Sequence, residues 1–268
     1  MITMTSQARI ARLETRSVIV VSGADWAAFL QGLLTQDVDT LRPGEARFGA
    51  LLTPQGRLLF DLIIVGWEGG CWLDCEASRR EVLIQRLSIY RLRAKVEIAA
   101  NEAPVFAAWG APPSGEGWLA DPRLPELGWR GYGLSVDPAA SEADYDAHRL
   151  ALGVPGPEDW GEDRTYPIEA DFDLLNGIDF KKGCFVGQET TSRMKRRGQI
   201  RSRMLPVEFE GPPPAPGTEV LAGALRAGEV TSSLDGLAMA LLRLDRIEDA
   251  DLTVDGRPCR VARPSWMA

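Results

Sequence analysis

Histidine is nearly absent from this chain: of 268 residues, only His148 could supply an imidazole. That excludes a histidine-rich metal centre and leaves one candidate for any cysteine–histidine dyad. His148 itself sits among helix-forming residues, where a packing or surface role suffices. Cysteine is sparse too. The four, at positions 71, 75, 184 and 259, include no CxxC pair of the zinc-binding kind and no closely spaced set of the ferredoxin kind. They are expected to be reduced thiols in a protein with no permanent metal of its own. Long apolar runs are also lacking. Met1 to Arg16 contains no h-region of a secretory leader, and no later stretch approaches the length of a membrane-spanning helix. The expectation is a cytoplasmic protein with no membrane partner. No internal repeat survives counting, which sets repeat architectures aside.

What is present is the composition of an ordinary globular protein, 45% hydrophobic and 25% charged, long enough for two modest domains or one large one. The formal net charge of −8 argues against nucleic-acid binding by the surface as a whole. That charge is uneven. Between Lys181 and Arg203 lie Lys181, Lys182, Arg193, Lys195, Arg196, Arg197, Arg201 and Arg203, against Glu189 alone. Such an island fits a solvated face paired with the acidic remainder, or equally an anionic ligand such as a polyglutamyl tail, a phosphate or RNA.

The island follows Lys182-Gly183-Cys184-Phe185-Val186-Gly187-Gln188-Glu189, the stretch least easily explained as packing. Only Phe185 and Val186 are apolar. The glycines permit positive φ angles or a close backbone approach, and Lys181 and Lys182 would favour the thiolate of Cys184. A thiolate is both a nucleophile and a metal ligand; the alternative is a small buried hydrophobe in a tight turn.

Along the chain, Ser17 to Val21 reads as a strand, followed by a capping box Ser22-Gly23-Ala24-Asp25 and a helix through Trp26, Phe29, Leu30, Leu33 and Leu34. Phe48 to Leu52 and Leu58 to Trp67 flank the turn Thr53-Pro54-Gln55-Gly56, and Cys71 to Asp74 is a third strand. A second box, Ser78 to Glu81, opens a helix through Val82, Leu83, Leu87 and Tyr90 that leads into a strand at Lys95 to Ala99. Further strands are expected at Val105 to Trp109 and Leu134 to Val136. A third capped helix runs from Ser141 to about Leu152, and Gly153 to Tyr166 reads as loop. The order is that of an α+β fold with an antiparallel sheet. Beyond Ile200, short strands at Met204 to Phe209, Glu219 to Leu221, Arg226 to Ser232, Leu237 to Leu244 and Arg257 to Ala262 surround a proline-rich turn. They read as a small β-barrel or sandwich. The expected division is 1–199 and 200–268.

Taken in order, several segments resemble the YgfZ-type folate-binding proteins, relatives of the aminomethyltransferase (T-protein) of the glycine cleavage system. These are Ser22 to Asp25 with Phe29-Leu30-Gln31-Gly32-Leu33-Leu34-Thr35-Gln36-Asp37-Val38, then Leu52-Thr53-Pro54-Gln55-Gly56-Arg57 with Asp61, then the cysteine octapeptide. Gly228-Glu229-Val230-Thr231-Ser232 looks like the barrel signature of the same superfamily. The resemblance covers nearly the whole chain, and the octapeptide separates this branch from the true aminomethyltransferases. It implies a ring-like arrangement of two ferredoxin-like α+β portions with a C-terminal antiparallel β-barrel, around a pocket for tetrahydrofolate or a one-carbon derivative. It also implies a role in assembling or maintaining iron–sulfur clusters, including those of tRNA-modifying enzymes, with iron–sulfur client or assembly proteins as partners. Cys184 takes the position of the family's functional thiol. Arg57, Asp61, Lys182, Gln188 and Glu189 are the candidates for the folate cavity wall and the loop that frames it, although Arg57 and Asp61 could equally form a structural ion pair.

Two departures from the family matter. Where true aminomethyltransferases carry a catalytic aspartate, the match here is Glu81, one methylene longer and already placed as the third residue of the Ser78 capping box. A folate-dependent aminomethyltransferase or other one-carbon transferase using Glu81 is the alternative function. Aromatic folate contacts of some relatives fall on Arg16 and Arg149, and Trp26, at a core spacing, is not assigned to folate.

Overall fold

A computed structural model describes residues 7–198 and 200–267. The chain forms two compact units: Met1–Leu52 with Phe60–Asp146 and Leu175–Val186, and Thr53–Leu59 with Ala147–Leu174 and Gly187–Ala268.

The first unit holds two sheets. One has the order β3-β4-β5-β2-β6, built from β2 (Arg16–Ser22), β3 (Ala46–Leu52), β4 (Leu58–Trp67), β5 (Gly70–Glu76) and β6 (Glu97–Asn101). The other has the order β1-β7-β9-β8, from β1 (Arg9–Arg12), β7 (Val105–Trp109), β8 (Trp118–Ala120) and β9 (Trp129–Tyr132). The strand β4 is buried from Leu58 to Gly66, the pattern of a strand covered on both faces. The expected strand at Leu134 to Val136 does not form. Gly133, at φ 66°, turns the chain out of β9, and Leu134 packs where a Cβ on Gly131 would lie 2.4 Å from it.

Of three expected capping boxes, one forms. At α3 (Glu142–Ala151) the Ser141 amide donates to Asp144 Oδ2 at 2.9 Å, and the Asp144 amide donates to Ser141 Oγ at 3.2 Å. At α1 (Trp26–Gln31) Ser22 instead closes β2, and Asp25 Oδ2 accepts the Lys95 amide at 2.8 Å. That helix also ends three residues before Leu34. At α2 (Arg80–Arg91) the Ser78 hydroxyl turns back to Glu76, so Glu81 does not serve a capping box.

In the second unit, α4 (Pro157–Trp160) interrupts the stretch expected to be loop, and α5 (Gln188–Arg197) carries much of the basic island on a helix that periodicity did not reveal. The barrel closes as expected, in the order β10-β13-β12-β11-β14-β15. Its strands are β10 (Ser202–Phe209), β11 (Glu219–Ala222), β12 (Leu225–Leu234), β13 (Leu237–Arg243), β14 (Leu252–Val254) and β15 (Arg257–Val261). Leu205, Val207, Val220, Val230, Ala240 and Leu242 fill it. The strand β14 was too short to be read in advance.

The segment Gly228 to Ser232 has a physical explanation. A Cβ on Gly228 would lie 2.1 Å from the Leu241 carbonyl, so β12 and β13 close only over glycine. The register shifts between Val230 and Ser232, and such a bulge re-aims consecutive side chains. Here the Thr231 and Ser232 hydroxyls both donate to Asp159 Oδ1, at 2.7 and 2.6 Å. The other oxygen of Asp159 accepts the Gly156 amide at 2.7 Å and faces Arg149 Nη1 at 3.5 Å. Asp159→Ala is therefore expected to lower stability by about 3 kcal/mol, because it leaves buried donors unpaired. Urea unfolding checks this, and Asp159→Asn should recover part of the loss.

Candidate functional site

The cysteine loop belongs to the first unit through Val186, and it is locked to the turn that follows α1. Lys182 Nζ donates to three carbonyls there, Gln31 at 2.9 Å, Leu34 at 2.6 Å and Gln36 at 2.8 Å. An ammonium has three protons, and all three are engaged. These carbonyls lie at a helix C-terminus and just beyond it, where a cation is favoured. Burial pushes the Lys182 ammonium down to about 8, against Asp37, Asp179 and Asp39, so it stays largely charged at neutral pH.

Further bonds join the same two segments. The Asp179 amide donates to the Thr35 carbonyl at 3.0 Å, the Thr35 hydroxyl to the Gly177 carbonyl at 2.6 Å, and the Val186 amide to the Gly32 carbonyl at 3.2 Å. Gln36 Nε2 donates to the Asn176 carbonyl at 2.7 Å. Within the loop, Asp179 Oδ1 accepts the amides of Lys181 at 2.7 Å and Lys182 at 3.2 Å, a local turn. Phe185 is buried, its ring centroid 5.4 Å from Lys182 Nζ. Cys184 lies between these anchors and is exposed. The thiol is displayed.

The two glycines of the octapeptide differ. Gly187 has φ 81° and serves as the N-cap of α5, a backbone that favours glycine. Gly183 has neither a positive φ nor a neighbour within 4 Å of an added Cβ. Among the described residues, nothing requires glycine beside the thiol.

The other cysteines are chemically quieter. Burial pushes the thiols of Cys75 and Cys259 up to about 11, and that of buried Cys71 higher still. Among the described residues, no group of three or more His, Cys, Asp or Glu side chains is placed to hold a metal ion.

The remaining sequence candidates divide. Asp61 does not pair with Arg57. It is buried in the first unit and accepts Arg16 Nη1 at 2.9 and 3.1 Å, while Arg16 Nε reaches Asp74 at 2.6 Å. Burial works against the Arg16 guanidinium, but Asp61 and Asp74 outweigh it and hold its proton above the usual arginine range. The network continues. Tyr132 donates to Asp74 at 3.0 Å, Arg130 Nε lies 3.3 Å from Asp121 and its Nη2 donates to Tyr145 at 3.3 Å, while Arg123 donates to Asp121 at 2.7 and 3.0 Å. Burial pushes the Asp121 carboxyl up, yet Arg123 and Arg130 bring it down to about 2. Sequence reading missed this network. Its one signal was charged residues at inward positions of apolar strands, such as Asp74 in β5.

In the second unit, Arg57 donates to the Arg164 carbonyl and lies over the Tyr166 ring at 5.0 Å. Gly56, at φ 87°, approaches the start of α5: a Cβ there would meet the Gly187 carbonyl at 2.9 Å. Arg149 is buried, donates to the Val154 carbonyl at 2.7 Å and pairs with Glu158. Gln188 and Glu189 stand in the first turn of α5, and among the described residues neither side chain is hydrogen-bonded. The island is partly neutralised. Lys195 pairs with Asp173 at 3.2 Å, and Arg203 pairs with Asp171 at 2.6 Å and Asp173 at 3.0 Å. Arg193, Arg196, Arg197 and Arg201 remain exposed. Glu81 stands on the outer first turn of α2 with its side chain 69% exposed, 3.5 Å from Arg80 Nε, and not in the dry surroundings that suit a catalytic carboxylate.

Comparison with known proteins places these features. Residues 201–268 match the family described as the CAF17 C-terminal beta-barrel domain. The mitochondrial iron–sulfur cluster assembly factor IBA57 of Homo sapiens is 32% identical over 277 aligned residues, which cover 88% of this chain and 78% of that protein. The chain belongs to the IBA57 family of iron–sulfur cluster assembly factors. The Mus musculus IBA57 is 31% identical over the same shares, and the Phaeosphaeria nodorum homologue is 31% identical over 92% of this chain and 73% of its own length. In fold, this IBA57-family chain matches the crystal structure of glycine cleavage system aminomethyltransferase T from Bartonella henselae. That match has a TM-score of 0.77 and 18% identity, and it covers 98% of this chain and 87% of that one. The cytoplasmic expectation is overturned, because these IBA57 relatives are named as mitochondrial. The absence of an apolar secretory leader never bore on that compartment, whose targeting segments are amphipathic and arginine-rich.

Two results should follow from this geometry. Brief alkylation of the native protein at neutral pH should label Cys184 first and Cys259 more slowly, with Cys71 and Cys75 unlabelled until denaturation; peptide mass spectrometry reads the order. Lys182→Met should lower stability by about 2 kcal/mol, since it removes charge-assisted bonds to three carbonyls, and a shifted urea midpoint would show it.

Proposed function

We propose that this IBA57-family chain is a folate-binding, YgfZ-type accessory protein for iron–sulfur cluster assembly or repair, supporting iron–sulfur enzymes that include tRNA-modifying ones. The observation that carries the reading is Cys184, exposed on a loop locked at both ends, beside a glycine that the fold itself does not need. One thiol, with no metal-binding group of side chains placed around it among the described residues, cannot enclose a cluster, which takes four protein ligands. Its chemistry is completed by a client or assembly protein, with the thiol as transient cluster ligand, redox group or sulfur carrier.

Folate, as tetrahydrofolate or a one-carbon derivative, enters the proposal on the resemblance alone. Of the five residues put forward for it, Asp61 is occupied by Arg16, Lys182 by three carbonyls, and Arg57 by the Arg164 carbonyl and Tyr166. Arg57 keeps further N–H donors beyond the one given to Arg164, and Gln188 and Glu189 keep uncommitted polar groups, so these three are the positions left to contact a folate. The transferase alternative has no supporting geometry at Glu81. The exposed cations of α5 give RNA contact a secondary place, and the absence of tRNA binding at low salt would remove it.

In a strain lacking this protein, Cys184→Ala should fail to restore iron–sulfur enzyme activity while remaining folded, whereas full restoration would refute a required thiol. Calorimetric titration with reduced and oxidised folates should show binding by both the parent and Cys184→Ala. If neither folate binds, the folate part of the proposal falls and the thiol part stands.

A further inference from the structure

The helix α2 has two apolar faces. Leu83 and Leu87, four residues apart, are fully buried and form the face turned to the sheet. Val82 and Ile89, two turns apart on another face, are 46% and 72% exposed, and Leu92 just beyond the helix is 88% exposed. Leu92 also has φ 44° and ψ −105°, a conformation costly for a bulky residue. Such a residue persists only where its surroundings hold it. Here they do: the Lys95 amide donates to Asp25 Oδ2 at 2.8 Å, the Ala94 amide to the Arg91 carbonyl at 2.8 Å, and the Asp25 amide to the Lys95 carbonyl at 3.3 Å. Gly23 lets this turn approach, since a Cβ there would lie 2.3 Å from the Lys95 carbonyl. The fold maintains a strained leucine that points at solvent.

Cations predominate around it, with the exposed Glu97 and the turn-bonded Asp25 as the acidic neighbours. Arg86, Arg91, Arg93 and Lys95 flank Ile89 and Leu92, and among the described residues none of the four has an ion-pair partner. In a chain of net charge −8 this is a second basic island. Between the turn and Gly23–Ala24 lies an open hollow of about 500 Å³, lined by Arg91, Arg93 and Lys95 against the single carboxylate of Glu97. Isolated aliphatic side chains protruding among unpaired cations are the pattern of a surface that dips into an anionic bilayer, where acyl chains take the leucine and headgroups the guanidiniums. A second copy of the chain fits poorly, because a two-fold contact would set these cations against themselves. A protein hot spot would be expected to present aromatic anchors in a packed pocket.

We propose that the end of α2, with Leu92 at its apex, is a peripheral docking site for an anionic lipid bilayer. Flotation of the full chain with phosphatidylcholine vesicles, with and without phosphatidylglycerol, tests this. The chain should float with the anionic vesicles and not the neutral ones, and raised salt should release it. Arg91→Glu combined with Arg93→Glu should reduce the bound fraction several-fold. Leu92→Gly separates docking from folding: it should weaken flotation while leaving thermal stability unchanged or raised, because glycine relieves the strained backbone. No flotation with anionic vesicles, equal flotation with neutral ones, or unaltered flotation of both variants would overturn the proposal and leave this face to an acidic protein.

Discussion

The ammonium of Lys182, held among the carbonyls of Gln31, Leu34 and Gln36, is the interaction on which the candidate site depends. Each carbonyl is an acceptor at the end of α1 or in its following turn, and a half-buried cation is less costly when its protons are accepted. The two needs meet in one side chain. Segments almost 150 residues apart in sequence thereby become one piece, and the same contact fixes the start of the cysteine loop while Phe185 and Val186 fix its end. The lysine that composition suggested as a charge partner for the thiol is a structural clasp.

A similar economy governs the polar interior. Arg16, Arg123 and Arg130 face Asp61, Asp74 and Asp121 in the first unit, equal numbers of opposite charge, with Tyr132 donating to Asp74 and Tyr145 accepting from Arg123 and Arg130, while Arg130 Nη1 has no hydrogen bond. Buried pairs of this kind add little net stability over an apolar core, but breaking one leaves a charge stranded. They therefore specify which strand faces which. In the second unit Asp159 has the corresponding role for α4 and the barrel, through Thr231, Ser232, Gly156 and Arg149. Residues that a family likeness would assign to a ligand, Asp61, Arg16 and Arg149 among them, are engaged in holding the fold.

Much of this fold was legible because its signals are local. Gly56 at φ 87° sits in the turn that Thr53 to Gly56 announced, and the barrel strands follow short strand candidates set around a proline-rich turn. The capping boxes show where local reasoning stops. The Ser141 box formed, but Ser22 and Ser78 met competing partners brought by the sheet and by Glu76, and no spacing rule foresees those. The helix α5 was hidden by its composition, since a run of cations lacks the apolar stripe by which helices are read. Of the site, the position of Cys184 was legible and its support was not, because Lys182 finds its acceptors at sequence separations of 146 to 151 residues.

A rigid frame displays the free thiol of Cys184. Amide hydrogen exchange across residues 177–186 tests it most directly. Bonded amides should be protected, those of Asp179 and Val186 by the carbonyls of Thr35 and Gly32, and those of Lys181 and Lys182 by the Asp179 carboxylate. The frame account predicts slow exchange at these four positions in the native protein and its loss in Lys182→Met. Exchange of the whole segment at the rate of an unstructured chain would contradict it.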